Sequence, residues 1–127
     1  MSDMGTFRIG IDLENLATPG VRLQLTGLLV DTGSELSWVP ATALESLGVV
    51  RDKLVRFRQA TGAVVERWTG PARIHAAGTF TTDDVVFAEP GDLHLLGART
   101  LEGLNVRIDP VTKQLVDAGP APAASAA

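Results

Sequence analysis

The sequence predicts a mainly β domain, and three features carry that expectation. Apolar residues recur at period two, turn residues break the chain at short intervals, and only two short stretches have helical spacing. The alternation is clearest at Phe7, Ile9, Ile11 and Leu13, and it resumes at Val21, Leu23 and Leu25. Turn chemistry follows at Thr18-Pro19-Gly20, Thr61-Gly62, Ala77-Gly78, Pro90-Gly91 and Asp109-Pro110. Short antiparallel strands joined by tight turns are the simplest architecture with this rhythm.

Each remaining element follows from local chemistry. A helix is expected over 41–47, with Pro40 leading into it and Gly48 placed to end it, and a shorter one around 99–104. In the segment 54–68, Val55 and Phe57 alternate with Arg56 and Arg58. Thr61-Gly62 then supplies a turn before Val64 and Val65 resume an extended run, so the segment reads as a hairpin with long arms. Beyond Asn105, the stretches 105–108 and 114–116 flank Pro110 and suggest a second hairpin.

A chain of 127 residues with 45% apolar content builds one core, assigned to a domain over 1–116. The Ala/Pro-rich tail over 117–127 has almost nothing to bury and is expected to be disordered. The net charge of −4 offers no basic surface for nucleic acid or an anionic membrane. With no cysteine, disulfides, thiolate nucleophiles and thiolate-bound metals are excluded. The N-terminal stretch lacks a basic segment followed by an apolar one, and no run reaches membrane-spanning length, so a cytoplasmic location is expected by default. His75 and His94 have no partners at metal-ligand spacing, and neither a metal nor another cofactor is expected.

The chemistry concentrates after the apolar run Leu28-Leu29-Val30, which reads as a strand buried on both faces and ends abruptly at Asp31-Thr32-Gly33-Ser34. A carboxylate is thereby delivered to the edge of the core. Taken alone, Asp-Thr-Gly is equally ordinary turn chemistry.

In context, the segment Leu29-Val30-Asp31-Thr32-Gly33-Ser34 resembles the active-site strand and loop of aspartic peptidases, and Trp38-Val39-Pro40 continues it as in the pepsin-like branch. Leu95-Leu96-Gly97 resembles the family's second hallmark, a strand that threads beside the catalytic loop and feeds a short helix. Between them, the 54–68 hairpin falls where the family has its flap. The resemblance covers nearly the whole chain apart from the tail, and a single Asp-Thr-Gly points to the retroviral type.

That resemblance implies a closed acid-protease (retropepsin-like) β-barrel or sandwich with one or two short helices. It implies an endopeptidase that hydrolyses peptide or protein substrates as a homodimer, with Asp31 of each copy forming the catalytic pair. Thr32, Gly33 and Ser34 would shape the catalytic loop, Ala60, Thr61 and Gly62 the flap tip, and Leu95, Leu96 and Gly97 the substrate-binding wall beside it. Ser34, where many retroviral-type enzymes carry Ala, would hydrogen-bond the ionised carboxylate and favour an acidic optimum that Ser34→Ala alters. The family's Arg directly after the glycine is displaced here, with Ala98 next and Arg99 following. The alternative reading is a non-catalytic dimerisation or peptide-binding module of the same fold.

Other candidates have blander readings. Asp83-Asp84 reads as a solvated turn, since adjacent strand residues point to opposite faces and cannot converge on one bond. Arg56, Arg58, Arg67 and Arg73 read as a solvated face within reach of substrate. Trp38 reads as core, and Trp68 as either core or pocket wall.

Overall fold

The computed structural model describes residues 7–123. Residues 1–6 of the expected domain and 124–127 of the expected tail lie outside the described residues. The elements run β1 (Arg8–Glu14), β2 (Arg22–Val30), β3 (Ser37–Pro40), α1 (Ala41–Ser46), β4 (Lys53–Arg58), β5 (Val64–Ala76), β6 (Thr79–Ala88), β7 (Leu95–Leu96), α2 (Ala98–Leu104), β8 (Val106–Asp109) and β9 (Gln114–Asp117). The protein is mainly β, as its period-two patterning predicts.

Among the described residues, seven strands form one sheet in the order β1-β2-β7-β3-β6-β5-β4, and a further pairing of β1 with β5 closes a ring that leaves β4 outside as a free edge. Two pairings are parallel rather than antiparallel as expected, β2 with β7 and β3 with β6. Both join strands separated by long stretches of chain, which is the condition a parallel pair requires. Among the described residues, β8 and β9 pair only with each other.

Alternation sorts the side chains. Ile11, Leu13, Leu28, Val39, Leu44, Ile74, Phe87 and Leu96 meet in the main core. A second cluster holds Leu36, Trp38, Val86, Ala88 and Leu95, with Leu29, Phe57 and Val65 packed against it. β7 supplies one side chain to each, because neighbouring residues of a strand face opposite ways. Val21 falls just before β2 and is 57% exposed, so the apolar rhythm there starts at Leu23. Trp68 is also exposed, while Trp38 is core.

The helices end where local chemistry says they should. Pro40 caps α1, and Gly48 follows its C-cap with φ +76°, a conformation that suits glycine. Asp83 and Asp84 are not in a turn but in mid-β6, paired with Ala72 and Pro71. The tail begins with order: Asp117 completes β9, Ala118 N–H donates to the Asn105 carbonyl, and Asn105 Nδ2 donates to the Gly119 carbonyl. Among the described residues, no helix is long and apolar enough to cross a membrane.

Ring closure carries a buried acid. Glu14 of β1 lies opposite Arg22 of β2 and Arg73 of β5. Its carboxylate accepts Gly20 N–H at 2.6 Å and shares a 2.6 Å hydrogen bond with His75 Nε2, so the histidine is a structural partner rather than an ordinary strand residue. The Gly20 N–H and then His75 hold the Glu14 carboxyl below its ordinary value. A depressed carboxyl stabilises the fold above the unfolded-state value and loses that contribution as pH falls through the folded one. Glu14→Gln is therefore expected to flatten the acid side of the curve of Tm against pH, measured by circular dichroism from neutrality into strong acid, while leaving a lower Tm at neutral pH.

Candidate active site

The Asp31 loop is built outward from β2. Val30 pairs with Leu96 in the parallel ladder, Leu29 N–H donates to the His94 carbonyl at 3.0 Å, and Asp31 N–H donates to the Leu96 carbonyl at 2.9 Å. The strand thus ends with the Asp31 backbone still held and its side chain half-buried at the edge of the core. Gly33 N–H donates to Asp31 Oδ1 at 2.9 Å, and Ser34 N–H donates to the Asp31 carbonyl at 3.2 Å. Thr32 and Gly33 are exposed at the turn.

The far side of the loop is gripped by the start of α2. Ala98 N–H donates to the Ser34 carbonyl at 2.7 Å and Arg99 N–H to the Glu35 carbonyl at 3.0 Å. Gly97 N–H donates to Ser37 Oγ at 3.0 Å, and that hydroxyl shares a buried 2.6 Å hydrogen bond with Thr100. Only glycine allows this approach. A Cβ at Gly97 would stand 2.5 Å from the Leu36 carbonyl oxygen and 2.7 Å from that of Glu35. Arg99, one place later than in the retroviral pattern, pairs with Glu35 at 3.3 Å on the same loop.

A cleft of about 600 Å³ opens in front of Asp31. Its floor holds Asp31, Gly33, Ser34 and Trp38, the β4–β5 hairpin adds Phe57 and Ala60, and β7 with the loop before it adds Leu95 and Leu93. Phe57 rests on Trp38 with ring centroids 5.0 Å apart. Of the residues expected at the site, Asp31, Gly33, Ser34, Ala60 and Leu95 line this cleft. Thr32 lies instead in a shallow depression beside Ala98, Arg99 and Glu102, and Thr61 and Gly62 are exposed at the hairpin turn. Leu96 is fully buried in the main core and Gly97 is packed on the Leu36 backbone, so both support the loop from behind rather than forming a substrate wall.

Ser34 does not do what its hydroxyl suggests in the sequence. Its Oγ donates to the Leu36 carbonyl at 2.8 Å, and the donor on the Asp31 carboxylate is Gly33 N–H. A hydroxyl has one proton to give, so the inferred link from Ser34 to an acidic optimum loses its basis.

Sequence reasoning passed over Asp92 and took Arg67 as surface charge. Arg67 makes a two-pronged ion pair with Asp92 on the cleft wall, at 2.7 and 3.0 Å. The arginine draws the Asp92 carboxyl below its usual range, and Asp92 raises Arg67 in turn. Arg73 also leaves the solvated face, lying over the Phe80 ring at 4.8 Å. Asp83 is pushed up by burial and has an oxygen, Oδ2, without a hydrogen-bond partner. A larger cavity, about 800 Å³, lies around Glu14, Arg73 and His75. Both Glu14 oxygens are engaged there, and Asp12 on the same lining lies 3.8 Å from Arg22. Among the described residues, no cluster of His, Asp or Glu could hold a metal ion.

The sequence matches no protein-family model and no curated protein. Gly97→Ala is expected to destabilise the protein by about 1–3 kcal/mol or more through overpacking against backbone. Gly33→Ala, whose Cβ meets only the Asp31 side chain at 3.1 Å, is expected to cost less. Urea unfolding of the two variants beside the parent protein measures the difference.

Proposed function

We propose that the protein is an aspartic endopeptidase of the retroviral type, with the acid-protease fold, acting as a homodimer on peptide or protein substrates. The observation that carries this reading is Asp31 itself. Its carboxylate stands at the end of a core strand, on the floor of a cleft, beneath a hairpin. An extended peptide needs that arrangement of groove, cover and reactive group.

One carboxylate is not enough for the reaction. Hydrolysis by this route takes a general base to deprotonate water and an acid to polarise the scissile carbonyl. Two carboxyl groups facing each other at close range cannot both ionise cheaply, so they share a proton and divide these roles. Asp-Thr-Gly occurs once in the chain, and the second carboxylate is Asp31 of another copy, brought across a two-fold axis. The exposure of Thr32 and Gly33 supports that reading, since an interface loop must be open in the single chain. So does the β8–β9 sheet, whose outer edges have no strand partner in the ring. A two-stranded sheet is marginal in water by itself and gains from a neighbour.

The competing reading, a non-catalytic module that dimerises or takes up extended peptides by strand addition, is favoured by the free edge of β4. The two separate cleanly in solution. Incubation with a mixed peptide library from acidic to neutral pH is expected to give cleavage that falls at least about a hundredfold in Asp31→Asn. Specific activity is expected to rise with protein concentration as the pair forms, and a statine-type inhibitor is expected to abolish it. Peptide binding without cleavage at any pH would favour the module. A protein that stays monomeric at high concentration would remove the mechanism.

A further inference from the structure

The hairpin over the cleft has a hard point and a soft point along its length. Arg67 of β5 reaches Asp92, in the loop before β7, with Nε donating to Oδ2 at 2.7 Å and Nη2 to Oδ1 at 3.0 Å. Asp92 Oδ2 also accepts Glu89 N–H at 2.8 Å, so the acceptor is fixed to its own loop. The side chains are 15% and 8% exposed, which puts the pair largely out of water. A forked arginine–carboxylate pair in that setting is directional and strong, and removing one partner strands a covered charge.

In the hairpin register Arg67 faces Val55, and beyond this pair lie only Arg56 with Glu66, Phe57 with Val65 and Arg58 with Val64 before the turn. That outer arm touches the cleft floor through Phe57 on Trp38, and Val65 packs against the same apolar cluster. A contact of this kind has no bond direction to satisfy and releases and reforms more readily than a forked ion pair. The loop that holds Asp92 also places Leu93 on the cleft wall.

We propose that the Arg67–Asp92 pair is the hinge pin of the cleft cover. It fixes the base of the hairpin to the cleft wall, so that the cover opens by lifting the arm over 56–66 as Phe57 leaves Trp38. Arg67 and Asp92 are then positioning residues, which act by setting the height of the hairpin over Asp31. This inference rests on the reading of the cleft as a peptide-binding site.

Amide hydrogen exchange across 53–69, followed by mass spectrometry on the full chain, tests it alongside steady-state cleavage. In the parent protein the base, 53–55 and 67–69, is expected to exchange more slowly than the arm. Phe57→Ala is expected to speed exchange in the arm alone. Asp92→Asn is expected to erase the boundary, with the base exchanging roughly tenfold faster or more and KM rising more than kcat falls. Arg67→Lys keeps the charge but not the fork and is expected to lie between; it carries the same readout should Asp92→Asn unfold. Unchanged exchange of the base in both pair variants would overturn the pin, as would equal acceleration of arm and base in Phe57→Ala. If the parent protein cleaves nothing, the proposed activity fails while the exchange pattern still decides the hinge.

Discussion

The arrangement around Asp31 depends on one close approach, that of the Gly97 backbone to the carbonyls of Leu36 and Glu35. Because no side chain intervenes, the start of α2 comes near enough for its first N–H groups to bond the Ser34 and Glu35 carbonyls. The first N–H groups of any helix lack partners within it. Here the loop after Asp31 supplies them, and the loop's own carbonyls are satisfied in return. The Asp31 main chain is meanwhile held by Leu96, one residue before the glycine. The Asp31 main chain is therefore held by backbone on both flanks, and Gly33 N–H holds one carboxylate oxygen.

That grip is inseparable from the way the cores divide. β7 is only two residues long, yet Leu96 enters the main core and Leu95 the second, so the short strand wedges between them. Displacing it would disturb both cores and the loop together. Covered polar pairs then fix what apolar packing leaves free. Glu14 and His75 join β1 to β5 where the ring closes, and Arg67 and Asp92 join the hairpin to the cleft wall. Apolar contacts specify burial without direction, whereas a forked or buried hydrogen bond specifies an angle and a register.

Much of the fold was legible along the chain. Period-two patterning located β1, β2 and the hairpin arms, glycines with positive φ marked turns at Gly20, Gly62, Gly78 and Gly91, and Pro40 with Gly48 bracketed α1. These signals are local, set by side-chain alternation and backbone sterics within a few residues. The parallel pairings were not legible, because they join distant segments, Leu29 with Leu95 and Ser37 with Val85, whose own patterns carry no record of the partner's direction.

The site divides along the same line. The sequence by itself determined that a carboxylate follows a core strand, that a hairpin and a Leu-Leu-Gly segment come after it, and that no cysteine chemistry is possible. Only the tertiary structure decided that Ser34 turns to Leu36, that Leu96 and Gly97 stand behind the loop, and that Arg67 finds Asp92. A hydroxyl or a guanidinium has several acceptors within its reach, and which one it bonds depends on what distant strands bring alongside. Backbone conformation is chosen locally, but polar partners are chosen by proximity, and proximity exists only once the ring has closed.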